Sequence, residues 1–90
     1  MNKSVLIQAV AKSTGLSRNE VAAATNSLID TISDALVKGE RVTLTGFGTF
    51  ELSHRKARAG VNPRTGENIR IAEMSLPRFR AGKALRTRVK

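Results

Sequence analysis

Val42-Thr43-Leu44-Thr45-Gly46-Phe47-Gly48-Thr49-Phe50-Glu51-Leu52 is where the chain changes its rhythm. Val42 and Leu44 alternate with Thr43 and Thr45, as in a strand with one buried face. Phe50 and Leu52 then alternate with Thr49 and Glu51. Gly46-Phe47-Gly48 joins the two runs tightly. A period of two on both sides of a glycine-rich turn predicts a β-hairpin over 41–52.

Upstream of the hairpin the period is 3.6. Val21, Ala24, Leu28, Ile32 and Ala35 fall at steps of three and four, and Ile29 and Leu36 widen the stripe. Thr25 breaks its edge with a hydroxyl. Ser17-Arg18-Asn19-Glu20 fits a capping box, in which Ser and Glu satisfy each other's free amides. Lys38 suits the negative end of the helix dipole and Gly39 the left-handed residue after it, so a helix is predicted from Ser17 to about Lys38. A shorter one is predicted over 3–14, with Val5, Leu6, Ala9 and Val10 on one face, Asn2 as cap and Gly15 as stop.

Downstream the apolar pattern thins. Residues 53–60 have little to bury, and Asn62-Pro63-Arg64-Thr65-Gly66 is a strong turn signal. Ile69 and Ile71 alternate again. The simplest architecture is a two-stranded ribbon with its tip near Pro63, ended by Pro77. Residues 82–89 are expected to form a last short helix with Ala84, Leu85 and Val89 inward. The expected organisation is one domain, 1–90, with a body of 1–52 and 77–90 and an arm of 53–76. No internal repeat is visible.

The 90 residues carry 16 Lys and Arg against 7 Asp and Glu, a net charge of +9. Residues 1–40 are balanced by Lys3, Lys12, Arg18 and Lys38 against Glu20, Asp30, Asp34 and Glu40, and Arg41 balances Glu51. The excess is therefore downstream. Arg55, Lys56, Arg58, Arg64 and Arg70 outweigh Glu67 and Glu73, and Arg78, Arg80, Lys83, Arg86, Arg88 and Lys90 face no acid. Such asymmetry points to a polyanionic partner. With no Cys and one His, His54, neither thiolate chemistry nor an imidazole cluster is available. No metal or other cofactor is expected. His54 has no apparent partner for acid–base work and reads as a surface residue at the base of the arm. Asp30 and Asp34 read as solvent-facing. No apolar run approaches the roughly 18 residues of a membrane span, and the N-terminal apolar stretch is too short for a signal peptide. The expectation is a cytoplasmic protein with no membrane partner.

If the ribbon projects, fewer than about 70 residues remain for a body, too few for a robust single core. With no disulfide, no metal and three aromatics, association is the remaining route to stability. Leu28, Ile32, Leu44, Phe47, Phe50 and Phe79 are the expected shared core of a dimer. Whether the partner is an identical chain or a paralogue is left open.

Gly46-Phe47-Gly48-Thr49-Phe50, Arg55, Arg58, Gly60, Asn62-Pro63-Arg64-Thr65-Gly66, Pro77, Phe79 and Ala81-Gly82-Lys83 together resemble the bacterial histone-like DNA-binding proteins, HU and integration host factor. The resemblance spans the chain. Its opening Met1-Asn2-Lys3-Ser4 and the segment Phe79–Leu85 look most like HU, the beta-type in particular. It implies an α+β fold in an intertwined homodimer, with two N-terminal helices, a three-stranded antiparallel sheet, a long β-ribbon arm and a short C-terminal helix. It also implies that Pro63 wedges between base pairs in the minor groove, the mode of minor-groove architectural proteins, among which HU and integration host factor are standard examples. Two positions depart from the family pattern. Val61 stands where Arg is frequent, and Asn26 stands where an acidic residue can pair with Lys3.

Taken together, these features predict a non-enzymatic, nucleoid-associated protein that bends and compacts double-stranded DNA with little sequence preference. The expected DNA-contacting residues are Lys3, Gly46, Arg55, Lys56, Arg58, Asn62, Pro63, Arg64, Thr65, Arg70, Arg78, Arg80, Lys83 and Arg86. Arg18 is a secondary candidate. Pro63 by itself is ordinary turn chemistry; the wedge comes from the resemblance. The alternatives are a sequence-preferring bender of the integration host factor type and an RNA-binding module.

Overall fold

A computed structural model describes residues 1–90. The chain divides into two units, Met1–Ala35 and Leu36–Lys90.

The first unit is helical. Helix α1 spans Lys3–Thr14 and helix α2 spans Arg18–Val37, its last two residues entering the second unit. The expected caps form. The Asn2 side chain accepts a hydrogen bond from the Val5 amide at 3.0 Å. Gly15 closes α1 with φ +78°, donating to the Ala11 carbonyl. Ser17 Oγ accepts from the Glu20 amide and the Glu20 carboxylate from the Ser17 amide, both at 3.1 Å. This reciprocal pair satisfies two amides that the first turn of α2 leaves free. The Ser17 backbone N–H, with its hydroxyl adding to it, holds the Glu20 carboxyl below its usual range. Arg18 donates to Ser4 Oγ at 2.8 Å and ties the starts of the two helices together.

Little of this unit is covered. Ile7 and Val21, one from each helix, are the only buried apolar side chains of the chain. The α2 stripe expected to form a core has Thr25, Ile32, Ala35 and Leu36 half-buried, while Ala24 is exposed. Leu28 and Ile29 are 53% and 45% exposed. In a single chain the middle of the stripe, at Leu28 and Ile29, is thus a surface.

The second unit is built on a three-stranded antiparallel sheet. Strand β1 is Val42–Leu44, β2 is Gly48–Arg55 and β5 is Met74–Ala81, in the order β1-β2-β5. The predicted hairpin is β1 and β2, with the Phe47 amide donating to the Leu44 carbonyl. Register explains the alternation. Val42, Phe50 and Phe79 form one cross-strand row, and Leu44, Gly48 and Ala81 another, on the apolar face. Thr43, Thr49 and Arg80 share a row of the polar face. Phe79 lies between Phe47 and Phe50, with ring centroids at 5.2 and 4.9 Å and tilted planes, a favourable aromatic arrangement. Gly48 is buried beneath it; a Cβ there would collide with the Phe79 ring.

Pro77 does not end a strand. Strand β5 runs through it to Ala81, with Pro77 opposite Leu52. The reason is topological: β5 is an edge strand, so a residue with no N–H is tolerated. The ladder of β2 and β5 is continuous from Gly48–Ala81 to Arg55–Met74. Beyond it β3, Arg58–Val61, and β4, Asn68–Ile71, form a separate two-stranded sheet.

Helix α3, Lys83–Val89, follows Gly82, whose amide donates to the Phe47 carbonyl at 2.8 Å. Of the three residues expected inward, only Leu85 is half-buried. Ala84 and Val89 are exposed, because a helix of two turns has one narrow contact line here. No helix of the structure is long and apolar enough to cross a membrane.

Candidate nucleic-acid interface

The ribbon of β3 and β4 is organised by its tip. The Asn62 amide donates to the Glu67 carbonyl and the Gly66 amide to the Asn62 carbonyl, both at 2.8 Å. The Asn62 side-chain oxygen accepts from the Arg64 amide at 2.9 Å, and Thr65 Oγ1 accepts from the Glu67 amide at 3.3 Å. These are the local side-chain bonds that Asn and Thr supply in turns. They leave Pro63 exposed at the apex, with Arg64 and Thr65 exposed beside it. Asn62 and Thr65 therefore shape the tip through their oxygens.

Pairing assigns the basic side chains to faces. Arg58 lies opposite Ile71 and Ala59 opposite Arg70. Directly opposite residues share a face and successive ones alternate, so Arg58 and Arg70 project from opposite faces of the ribbon. Gly60 sits under Ile69 and Ile71, and Val61 is exposed beside the tip. Arg55 ends β2 and Lys56 follows it. Arg55, Lys56, Arg58, Arg64 and Arg70 are all exposed, and none pairs with a carboxylate. From Ser53 to the tip is roughly 35 Å at about 3.3 Å per residue, long enough to follow a duplex groove.

The cations of the sheet behave differently. Arg78 and Arg80 project from the polar face of β5, where both approach Glu51 on β2, as does Arg41. Gly46 lies in the turn between β1 and β2. Lys83 opens α3 and Arg86 lies in its last turn, both exposed. Lys3, in the first turn of α1, is exposed and forms no ion pair within the chain.

The sequence hides two arrangements. Glu51 becomes a partner of Arg78 and Arg80 only through the β2–β5 register, which a stop at Pro77 would preclude. His54 does have partners: Nε2 meets Glu73 Oε1 and Nδ1 lies 3.2 Å from Ser75 Oγ. The link joins the strands where the sheet gives way to the ribbon. The His54 and Glu73 side chains are 53% and 60% exposed, and the His54–Ser75 contact links β2 to β5.

A model of a bacterial DNA-binding protein family matches residues 1–90. The DNA-binding protein HU of Geobacillus stearothermophilus is 48% identical over 90 residues, all of both chains. The DNA-binding protein HU 1 of Bacillus subtilis is 48% identical over 89 residues, 99% of this chain and 97% of that one. Among solved structures, a cocrystal of Anabaena HU with DNA is similar with a TM-score of 0.88 and 42% identity, covering 99% of this chain and 97% of that chain. HU from Thermotoga maritima is similar with a TM-score of 0.72 and 34% identity over the whole of both chains.

Proposed function

The chain belongs to the bacterial DNA-binding protein family, and from that membership we propose how its own residues do the work. It is an α+β, HU-type architectural protein that binds double-stranded DNA, associated with the nucleoid and with no enzymatic role.

The observation that carries the reading is the ribbon, with five exposed, unpaired cations on both faces and a proline at its apex. A strand pair with cations on both faces can touch the phosphates on each side of a groove at once. The minor groove suits it, because the negative potential of a narrow minor groove attracts arginine. Pro63 presents a rigid apolar ring that loses little side-chain entropy on insertion between base pairs. Residues 53–76 act as the arm, and 1–52 with 77–90 as the body. Arg78, Arg80, Lys83, Arg86, Lys3 and the Gly46 turn extend the contact along the flanking backbone. Few ribbon side chains can read base edges, so binding depends on backbone and shape more than on sequence.

The functional unit is a dimer. A chain with two buried apolar side chains, and with Leu28, Phe47 and Phe79 each more than 40% exposed, has an apolar surface in want of a cover. Ile32, Leu44 and Phe50 are half-buried on α2, β1 and β2. A second copy covers all six in a shared core.

The test is duplex binding with Arg58 and Arg70 both changed to Gln. Expected is weaker binding with a shallower salt dependence and an unchanged fold by circular dichroism. Undiminished binding would remove the ribbon as the contact element.

A further inference from the structure

Glu51 stands in the middle of the polar face of the three-stranded sheet. One of its carboxylate oxygens lies 3.5 Å from Arg41 Nη2; the other lies 3.7 Å from Arg78 Nε and 3.6 Å from Arg80 Nε. One anion thus serves three cations. These separations are beyond ordinary N–H···O hydrogen bonds, so the guanidinium donors remain unspent. The burial is uneven too. The Glu51 side chain is 15% exposed, while those of Arg41, Arg78 and Arg80 are 63%, 53% and 58% exposed. The carboxylate lies low on the sheet and the cations above it face water.

We propose that Glu51 is an internal stand-in for a backbone phosphate, a positioning residue that gathers Arg41, Arg78 and Arg80 and restrains their hold on DNA. The proposal rests on the DNA-binding reading and adds Arg41 to the contact surface. A carboxylate and a phosphodiester offer guanidinium the same chemistry, two oxygens sharing negative charge, and arginine forks fit both. While DNA is absent, Glu51 offsets one of three like charges and lets the three converge. When a phosphodiester arrives, it must outcompete the carboxylate for the same forks. A purely stabilising ion-pair cluster is the alternative, and exposed pairs of this kind contribute little to stability.

The experiment titrates a labelled duplex with wild type, Glu51→Gln, Arg41→Gln/Arg78→Gln/Arg80→Gln and the quadruple variant, over a range of salt. Thermal unfolding by circular dichroism accompanies each titration. Expected for Glu51→Gln is tighter binding at low salt by about 3- to 10-fold, the scale of one charge about 4 Å away across water. The slope of log K against log salt should steepen by about 0.9 for each further phosphate that the freed arginines neutralise. In the Arg41→Gln/Arg78→Gln/Arg80→Gln background the substitution should have little effect, since a residue acting through partners loses its effect when they are gone. Equal tightening in both backgrounds would overturn the proposal, as only net charge would then matter. Weaker or unchanged binding by a folded Glu51→Gln protein would overturn it as well. Failure of the wild type to bind duplex in a salt-dependent way would instead strike the DNA-binding reading itself.

Discussion

Residues 1–35 expose apolar side chains on two capped helices, whereas residues 53–76 expose cations on a paired ribbon. The helical unit is electrically balanced over its length; the ribbon and the segment after it carry the whole net charge of +9. Each region leaves a surface uncovered, and the kind of surface names the kind of partner. Uncovered Leu28 and Ile29 want apolar contact, which under the proposed function a second copy provides. Uncovered Arg58, Arg64 and Arg70 meet phosphate under the same proposal. A chain this small can hold both because neither region has to bury its partner-facing side within the monomer.

The largest effect should come from breaking the apolar side of that contrast. Leu28→Asp removes a side chain worth about 1.5–3 kcal/mol when buried and places a charge at the same spot. A two-fold dimer suffers the change twice. Expected is loss of the dimer at micromolar concentration in sedimentation, with loss of helical signal; a stable dimer would place the interface elsewhere.

On the cationic side, the effect is smaller and electrostatic. Changing Arg58 and Arg70 to Gln should lower the salt slope by about 0.9 for each phosphate the ribbon no longer neutralises, leaving dimerisation intact. Dissociation of the dimer in that variant would blur the separation of roles. Pro63→Ala tests the apex alone. Expected is an unchanged fold, weaker binding by less than about tenfold, or about 1.4 kcal/mol, and a smaller DNA bend by FRET. The same bend angle with alanine would sink the wedge assignment.

Within the helical unit, Asn2→Ala removes the α1 cap and should cost about 1 kcal/mol in chemical denaturation, with no change in DNA salt slope. The smallest effect concerns pH. Glu20 is held below its usual pKa by Ser17, so its stabilising contribution is present above the ordinary carboxylate range and is lost as pH falls through the depressed value. NMR titration should show Glu20 moving part of the way back toward the ordinary range in Ser17→Ala, which removes the hydroxyl and keeps the backbone N–H. A Glu20 that titrates identically in both proteins would mean that the Ser17 hydroxyl takes no part in holding it.

Local rules make much of this molecule legible in its sequence. The caps at Asn2, Ser17 and Gly15, the period change at Val42 and the turn at Asn62–Gly66 each depend on residues within a few positions of one another, and each forms as expected. The features that escape such rules depend on long-range pairing. Pro77 reads as a stop, yet its place on an edge strand is decided by the β2–β5 register. The same register brings Arg78 and Arg80 to Glu51 and Ser75 to His54, and nothing local announces either meeting. Ala84 and Val89 fit a helical stripe, yet seven residues of helix turn only Leu85 partly inward. The ribbon is legible as charge and turn. That Arg58 and Arg70 occupy opposite faces requires the pairing.

One measurement bears on both halves of the contrast: titration of random-sequence duplex across salt, with sedimentation of the free protein in the same buffers. Expected is a species of twice the 9.7 kDa chain mass. With roughly 6–10 phosphate contacts, its affinity should fall about 10³- to 10⁵-fold between about 50 and 200 mM salt. A folded 9.7 kDa monomer at micromolar concentration, or an affinity flat in salt, would contradict it.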